Sequence, residues 1–237
     1  MRRETDVGQA NATIRVKQSV EHRATVDADH RRYAIDHGFE RIREIEEKVV
    51  TPAMRRIEAQ DPQRHLLGLD NRLKGKERLA EKVLNHMKSN PELACDQALA
   101  KVKDAIRYTF VYREEHYTEG IRADIARLER SFDLVDLRNT WRTEEYKGIN
   151  SRWLVPGSHQ LFEVQFHTQA SFDATQFTHI AYEKIRSPDT SKGERDDLQS
   201  FQRKVFADIP VPQDVNEILN RRGGRDGSED HVLRDRG

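Results

Sequence analysis

Two short stretches constrain this chain more than anything else in it. In Leu161–Thr168, LFEVQFHT, Phe162, Val164 and Phe166 occupy one parity while Glu163, Gln165 and His167 occupy the other. In AIRYTFVY (105–112), Ile106, Tyr108, Phe110 and Tyr112 share a parity, and Arg107 and Thr109 take the opposite one. Side chains alternate faces along an extended strand, so both stretches predict strands with one apolar face and one polar, ionisable face. Glu is depleted in strands, so its place in the middle of one asks what that polar face looks at.

The surrounding periodicity predicts helices. Phe39, Ile42, Ile45 and Val49 recur at three- and four-residue steps, and TPAMRRIE restarts a helix with Thr51 as N-cap and Pro52 in its first turn. DPQRH (61–65) breaks that helix, and residues 1–30 carry only a weak helical pattern. A helix over 74–88 buries Leu79, Val83 and Met87, and a short one lies near 96–103. Residues 117–132 return to helix through Ile121, Ile125 and Leu128, and 133–141 read as strand. RWLVPGSHQLFEVQFHT predicts a hairpin turning at Pro156-Gly157-Ser158. Helices follow near 169–186 and 195–207, with a last helical turn at 214–220. The expected class is α+β (mixed α/β): a small, largely antiparallel sheet flanked by helices, with a helical N-terminal region. The expected organisation is a helical extension over 1–65, a domain over 66–210 and a disordered tail over 221–237.

Composition sets outer bounds. Of 237 residues, 35% are hydrophobic and 35% charged, so the core is modest and the helices well solvated. Lys+Arg 41 balance Asp+Glu 41, which removes any general attraction to nucleic acid or anionic membrane; an anion site has to come from local clustering. The lone cysteine, Cys95, excludes a disulfide within the chain. No run approaches the length of a membrane span, and the N-terminus lacks a signal-peptide core. A cytoplasmic location is expected; a toxin domain delivered without such a signal would have the same composition.

Four segments could carry chemistry, each with two readings. Lys74, Arg78 and Lys82 lie four apart and make a basic helical stripe, either a phosphate clamp or a face neutralised by Glu77 and Glu81. Arg107, on a predicted central strand, needs a carboxylate or a phosphate. Gly148, Asn150 and Ser151 belong to a ligand-approach loop or a simple turn. Glu163, facing these cations, is suited to Mg²⁺, which takes one or two carboxylates together with nucleotide phosphates.

Taken in this order, the segments resemble the synthetase domain of the RelA/SpoT family, of the small single-domain type, over roughly residues 66–187. The resemblance rests on Arg72-Leu73-Lys74 with Lys82, on the strand arginine Arg107, on Gly148-Ile149-Asn150-Ser151, and most specifically on Glu163-Val164-Gln165-Phe166-His167-Thr168. It implies transfer of pyrophosphate from ATP to the 3′-hydroxyl of a purine nucleotide, with Asp104 and Glu163 holding Mg²⁺. Arg72, Lys74, Arg78 and Lys82 would bind the ATP phosphates. Arg107 would support phosphate or order Glu163, which could also take the hydroxyl proton. Tyr146, Gly148, Asn150, Ser151, Gln165 and His167 would form the acceptor side. Three positions depart from the family pattern. The usual acid, five before the strand arginine, is Val102, with Asp104 standing in for it. The base-stacking aromatic is Ile149, with Tyr146 as substitute, and His167 replaces an arginine.

Other readings stay open: a toxic synthetase acting on the 3′ end of tRNA, with a neutralising partner protein, and a catalytically inactive nucleotide-binding module. ADP-ribosyl transfer also uses a strand Arg and Glu, but it wants an acid or Gln where Leu161 stands.

Overall fold

A computed structural model describes residues 27–158 and 160–223. Two compact units divide them: a helical unit of residues 27–41 and 76–101, and a sheet unit holding the remainder.

In the helical unit, α3 (Lys76–Ser89) buries Leu79 and Val83, and α4 (Cys95–Ala100) buries Ala98 and Leu99. Met87, expected in the stripe, is only half-buried. Gly38, on α1 (residues 27–45), admits the Leu99 side chain, whose Cδ1 would lie 2.3 Å from a Cβ there.

Helical backbone runs unbroken from α1 through a π-turn (Glu46–Val50) into α2 (Thr51–Glu58). Thr51 is therefore not an N-cap: its backbone is helical, and its hydroxyl donates to the Glu46 carboxylate. The wider π-turn shifts the buried stripe to Ile42, Glu46, Val50 and Met54, which leaves Val49 exposed.

Among the described residues the sheet has six strands in the order β1-β2-β5-β4-β3-β6. They are β1 (Arg64–Leu67), β2 (Arg107–Tyr112), β3 (Asp133–Asn139), β4 (Ile149–Val155), β5 (Gln160–Thr168) and β6 (Arg221–Arg222). Only β2 and β5 run parallel; the other neighbours are antiparallel. β1 occupies the segment read as a helix break, and β6 falls in the expected tail, where it pairs with Asp136 and Leu137. The rest of that tail and residues 1–26 lie outside the described residues. The hairpin turns where expected, with Gly157 at φ +76°, a left-handed conformation that glycine adopts without cost. Helices α5 (Tyr117–Leu128), α6 (Gln169–Arg186) and α7 (Lys192–Ala207) match the periodicity, whereas the last turn is a short 3₁₀ segment, Val215–Glu217.

The apolar parity of β2 and β5 makes the core. Phe110 stacks on Phe166 at 6.3 Å, and Phe132 meets Phe162 edge-on at 4.7 Å. Tyr117 from α5 is fully buried; its hydroxyl donates to the Phe166 carbonyl (2.7 Å) and accepts from the Trp141 indole (2.8 Å).

One buried charge cluster ties α5 to the sheet. Asp124 pairs with Arg64 of β1 at 2.6 Å, both side chains being wholly inaccessible, and accepts from the Tyr112 hydroxyl (2.7 Å) and from Arg127 (2.6 Å). Removing one partner from such a group strands a charge away from water. Arg64→Leu should therefore lower stability by about 3–5 kcal/mol, read as a fall in the urea midpoint with an unchanged slope.

Candidate active site

Strand register assembles the polar face. The parallel pairing sets Arg107 beside Glu163, and the antiparallel β4 sets Arg152 on its other side, opposite Asp136 of β3. One row thus reads Arg107, Glu163, Arg152, Asp136 across four strands. The next reads Thr109, Gln165, Asn150, Arg138. The segment 72–74 extends the sheet past β1: Arg107 N–H donates to the Arg72 carbonyl and Lys74 N–H to that of Ala105.

Glu163 is half-buried at the centre of this row. Burial raises its carboxyl pKa above the ordinary range; Arg107 opposes that shift, Asp104's charge adds to it, and a hydrogen bond from Gln165 and the charge of Arg152 pull it back. Asp104 and Glu163 therefore lie within each other's field. Lys74 Nζ approaches Asp104 Oδ2 at 3.2 Å. Two mutually repelling carboxylates, one held up by burial, are a donor set that fits a divalent cation, and Mg²⁺ needs no more than this when phosphates complete its shell. Among the described residues there is no cluster of three or more His, Cys, Asp or Glu side chains.

The other expected site residues divide. Lys74 lies in the extended segment before α3, so it forms no helical stripe with Arg78 and Lys82. Those two stand on α3 in the helical unit, Arg78 exposed and Lys82 half-buried. Arg72 is engaged internally: its Nε donates to Glu46 Oε1 at 2.8 Å and its Nη1 to the Leu69 carbonyl at 2.9 Å. That Glu46 oxygen also accepts from the hydroxyls of Tyr108 (2.5 Å) and Thr51. Burial pushes the Glu46 carboxyl up, but the three donors outweigh it and hold it below the ordinary range.

On the acceptor side, Ser151 faces the core rather than the polar row. Its hydroxyl is fully buried, donating to the Val164 carbonyl (3.1 Å) and accepting from the Trp153 indole (2.7 Å). The alternation that turns Asn150 and Arg152 toward Glu163 turns Ser151 away. His167 is also buried, between Ser171 Oγ on Nδ1 and the Tyr146 hydroxyl on Nε2, each at 2.9 Å. Burial drops its pKa to about 3, so it is neutral at ordinary pH. The Tyr146 ring packs edge-on against His167 and near Phe206, while its hydroxyl donates to Asn150 Oδ1 at 3.0 Å. It is not an open stacking platform. Gly148 completes this corner, because a Cβ there would sit 2.9 Å from the His167 ring.

Four further residues belong to the polar face. Arg152 grips Asp136 with both Nε (2.5 Å) and Nη2, and Arg138 Nε lies 3.5 Å from the same carboxylate. Lys103, just before β2, has its ammonium pKa lowered chiefly by the charge of Arg152, then by burial and by Arg138. The available signal was parity: Arg152 is two residues past Asn150, and Arg138 two past Asp136.

No family model matches the sequence, and no curated protein matches it. Solved structures do. The small alarmone synthetase 1 from Bacillus subtilis superposes with a TM-score of 0.50 at 17% identity, over 77% of this chain and 94% of that one. The same protein bound to its product pppGpp gives 0.50 at 18% identity, over 75% and 92%. The likeness is one of fold: this chain's mixed α+β sheet flanked by helices is shared with that small alarmone synthetase, as the motif resemblance led one to expect.

The coupling of the two carboxylates is directly measurable. Asp104→Asn removes a negative charge that disfavours ionisation of Glu163, so the Glu163 titration should move to lower pH. Arg107→Gln removes a favourable cation and should move it higher. Carboxyl-carbon NMR of the selectively labelled protein reads both; no movement in either variant would place the groups outside each other's field.

Proposed function

We propose that this chain is a Mg²⁺-dependent pyrophosphokinase that transfers the β,γ-diphosphate of ATP to the 3′-hydroxyl of a purine nucleotide, as in (p)ppGpp- or (p)ppApp-type alarmone synthesis, and releases AMP. The observation that carries this reading is Glu163, half-buried between two arginines and held up in pKa beside a second carboxylate and a lysine. A carboxyl whose pKa is raised by burial is suited to receiving a proton. The fold shared with an alarmone synthetase supports the same assignment.

In the proposed reaction the acceptor 3′-oxygen bonds to the β-phosphorus as the bond from that phosphorus to the α,β-bridging oxygen breaks. The hydroxyl proton passes to Glu163. Lys74 and Arg107 face the phosphates and offset the charge that accumulates on the AMP leaving group. Asp104 and Glu163 would hold the Mg²⁺, which supplies charge neutralisation between the phosphates. Arg72 joins only if Glu46 releases it.

The test is AMP release from Mg·ATP with GDP, GTP, ADP, ATP or tRNA as acceptor, alongside nicotinamide release from NAD. AMP formed with a purine nucleotide is expected, and Glu163→Gln should reduce it by about two to four orders of magnitude with an unchanged circular dichroism spectrum. Nicotinamide release, or nucleotide binding without turnover, would replace the reading with ADP-ribosyl transfer or an inactive module. AMP formed with tRNA alone would make the chain a tRNA-modifying toxin, which would call for a neutralising protein partner.

A further inference from the structure

The segment that carries Lys74 has little backbone hold on the sheet. Between the 3₁₀ turn Leu69–Asn71 and α3, it meets β2 through bonds at Arg72 and Lys74 and an isolated bridge from Leu73 to Ile106, a short contact rather than a ladder. Yet Lys74 reaches Asp104 at 3.2 Å, and the Arg72 carbonyl takes the amide of Arg107, the neighbour of Glu163. Where this segment sits decides where a cation of the transfer step sits. A side-chain clasp supplies the missing hold. Glu46 Oε1 accepts from Arg72 Nε at 2.8 Å and from the Tyr108 hydroxyl at 2.5 Å, so one carboxylate grips both the segment and β2. Thr51 adds a donor from α2.

Stability alone is a poor reason for this arrangement. Glu46 is buried and ionised, and apolar side chains packed in place of a buried ion pair are commonly no less stable. The donors are also unevenly shared. Oε1 takes those of Arg72, Tyr108 and Thr51, while Oε2 is buried and has no hydrogen-bond partner among the described residues. A carboxylate placed for its own satisfaction would divide its donors between both oxygens. What the geometry does achieve is direction, because a charge-assisted N–H···O bond admits few orientations where an apolar contact admits many. Arg72 is committed from the protein side through Nε and Nη1, the latter on the Leu69 carbonyl at 2.9 Å.

We infer that Glu46 is a positioning residue for the transfer reaction: by gripping Arg72 and Tyr108 together it seats residues 72–74 against β2 and so sets Lys74 beside Asp104. Arg72 then serves as the anchor of that segment and not as a phosphate ligand. The inference rests on the pyrophosphokinase reading and changes the part that Arg72 plays in it. Glu46 touches no substrate; it acts through Arg72 on the lysine two residues further on.

Two measurements on the full chain test this, one of them independent of turnover. In the AMP-release assay, Glu46→Gln should lower kcat/KM for ATP about ten- to a hundredfold while KM for the acceptor nucleotide holds. Tyr108→Phe, which removes one donor and keeps the ring, should shift it less and in the same direction. Arg72→Gln should match Glu46→Gln, and the double variant should be no worse than either, since each opens the same link. Losses that multiply in the double variant would make Arg72 a ligand in its own right and overturn the inference. The second measurement is amide hydrogen exchange by NMR. The Lys74 and Arg107 amides, which bond the segment to β2, should exchange about tenfold faster or more in Glu46→Gln. The Glu163 amide, bonded to Ile106 on the other side of β2, should keep its rate. Uniform acceleration would mark a general loss of stability and, like unchanged rates at Lys74 and Arg107, would overturn the inference. Absence of AMP with every acceptor would sink the pyrophosphokinase reading and the role in transfer with it, while exchange would still decide whether Glu46 seats the segment.

Discussion

The parallel pairing of β2 with β5 is the constraint on which the site depends. Among the described residues it is the only parallel contact in the sheet, and it sets Arg107 shoulder to shoulder with Glu163. The antiparallel β4 extends the same row to Arg152 and Asp136, so four charged side chains from four strands lie in one line. A slip of one residue in any of these pairings would send the charges into the aromatic core and bring Phe or Val out to water, which is why the register is strongly specified. The core and the polar face are thus two consequences of a single alignment. Phe110 stacked on Phe166 holds one side in the register that Arg107 and Glu163 need on the other.

Scaffolding residues around this row account for part of what looks functional in the sequence. Ser151 knits Val164 to Trp153 inside the core, and His167, neutral and enclosed, joins Ser171, Tyr146 and Asn150 into one hydrogen-bonded chain. Such a corner keeps Asn150 from wandering, so its contribution is rigidity rather than contact with a ligand. Gly148 belongs to it for a steric reason, giving the imidazole ring room that any side chain would take.

Much of this was legible in the residues themselves. Period-two alternation identified both central strands and the polarity of their faces, and the turn at Gly157 identified the hairpin. What the chain concealed were the relations between distant segments. Nothing local says that Arg152 pairs across from Glu163, or that Lys103 shares a field with Arg138, because each strand's alternation is satisfied whichever neighbour it takes. Lys74 seemed to belong to a helix since it keeps the four-residue spacing of Arg78 and Lys82. Its amide is instead drawn into the sheet by the Ala105 carbonyl, and the helix begins only after Gly75. β1 was missed because four residues between a turn and a 3₁₀ segment carry too little pattern, and its place comes from pairing with β2. Glu46 was missed for a different reason: a π-turn breaks the very period by which buried helical positions are recognised.

That π-turn also says something about how the chain could tolerate change in length. From Ile42 to Val50 the buried positions are eight apart, one more than two ordinary helical turns require. The helix therefore carries a surplus residue, and deleting one position between Glu46 and Val50 would let the segment relax to regular winding with its apolar contacts kept. The loss would fall on the knot around Glu46. Arg72, Tyr108 and Thr51 would each forfeit a common acceptor, and a guanidinium now tethered at the sheet margin would be set loose toward the row it borders. Helical geometry one residue out of step thus acts as the restraint on an arginine some two dozen positions downstream.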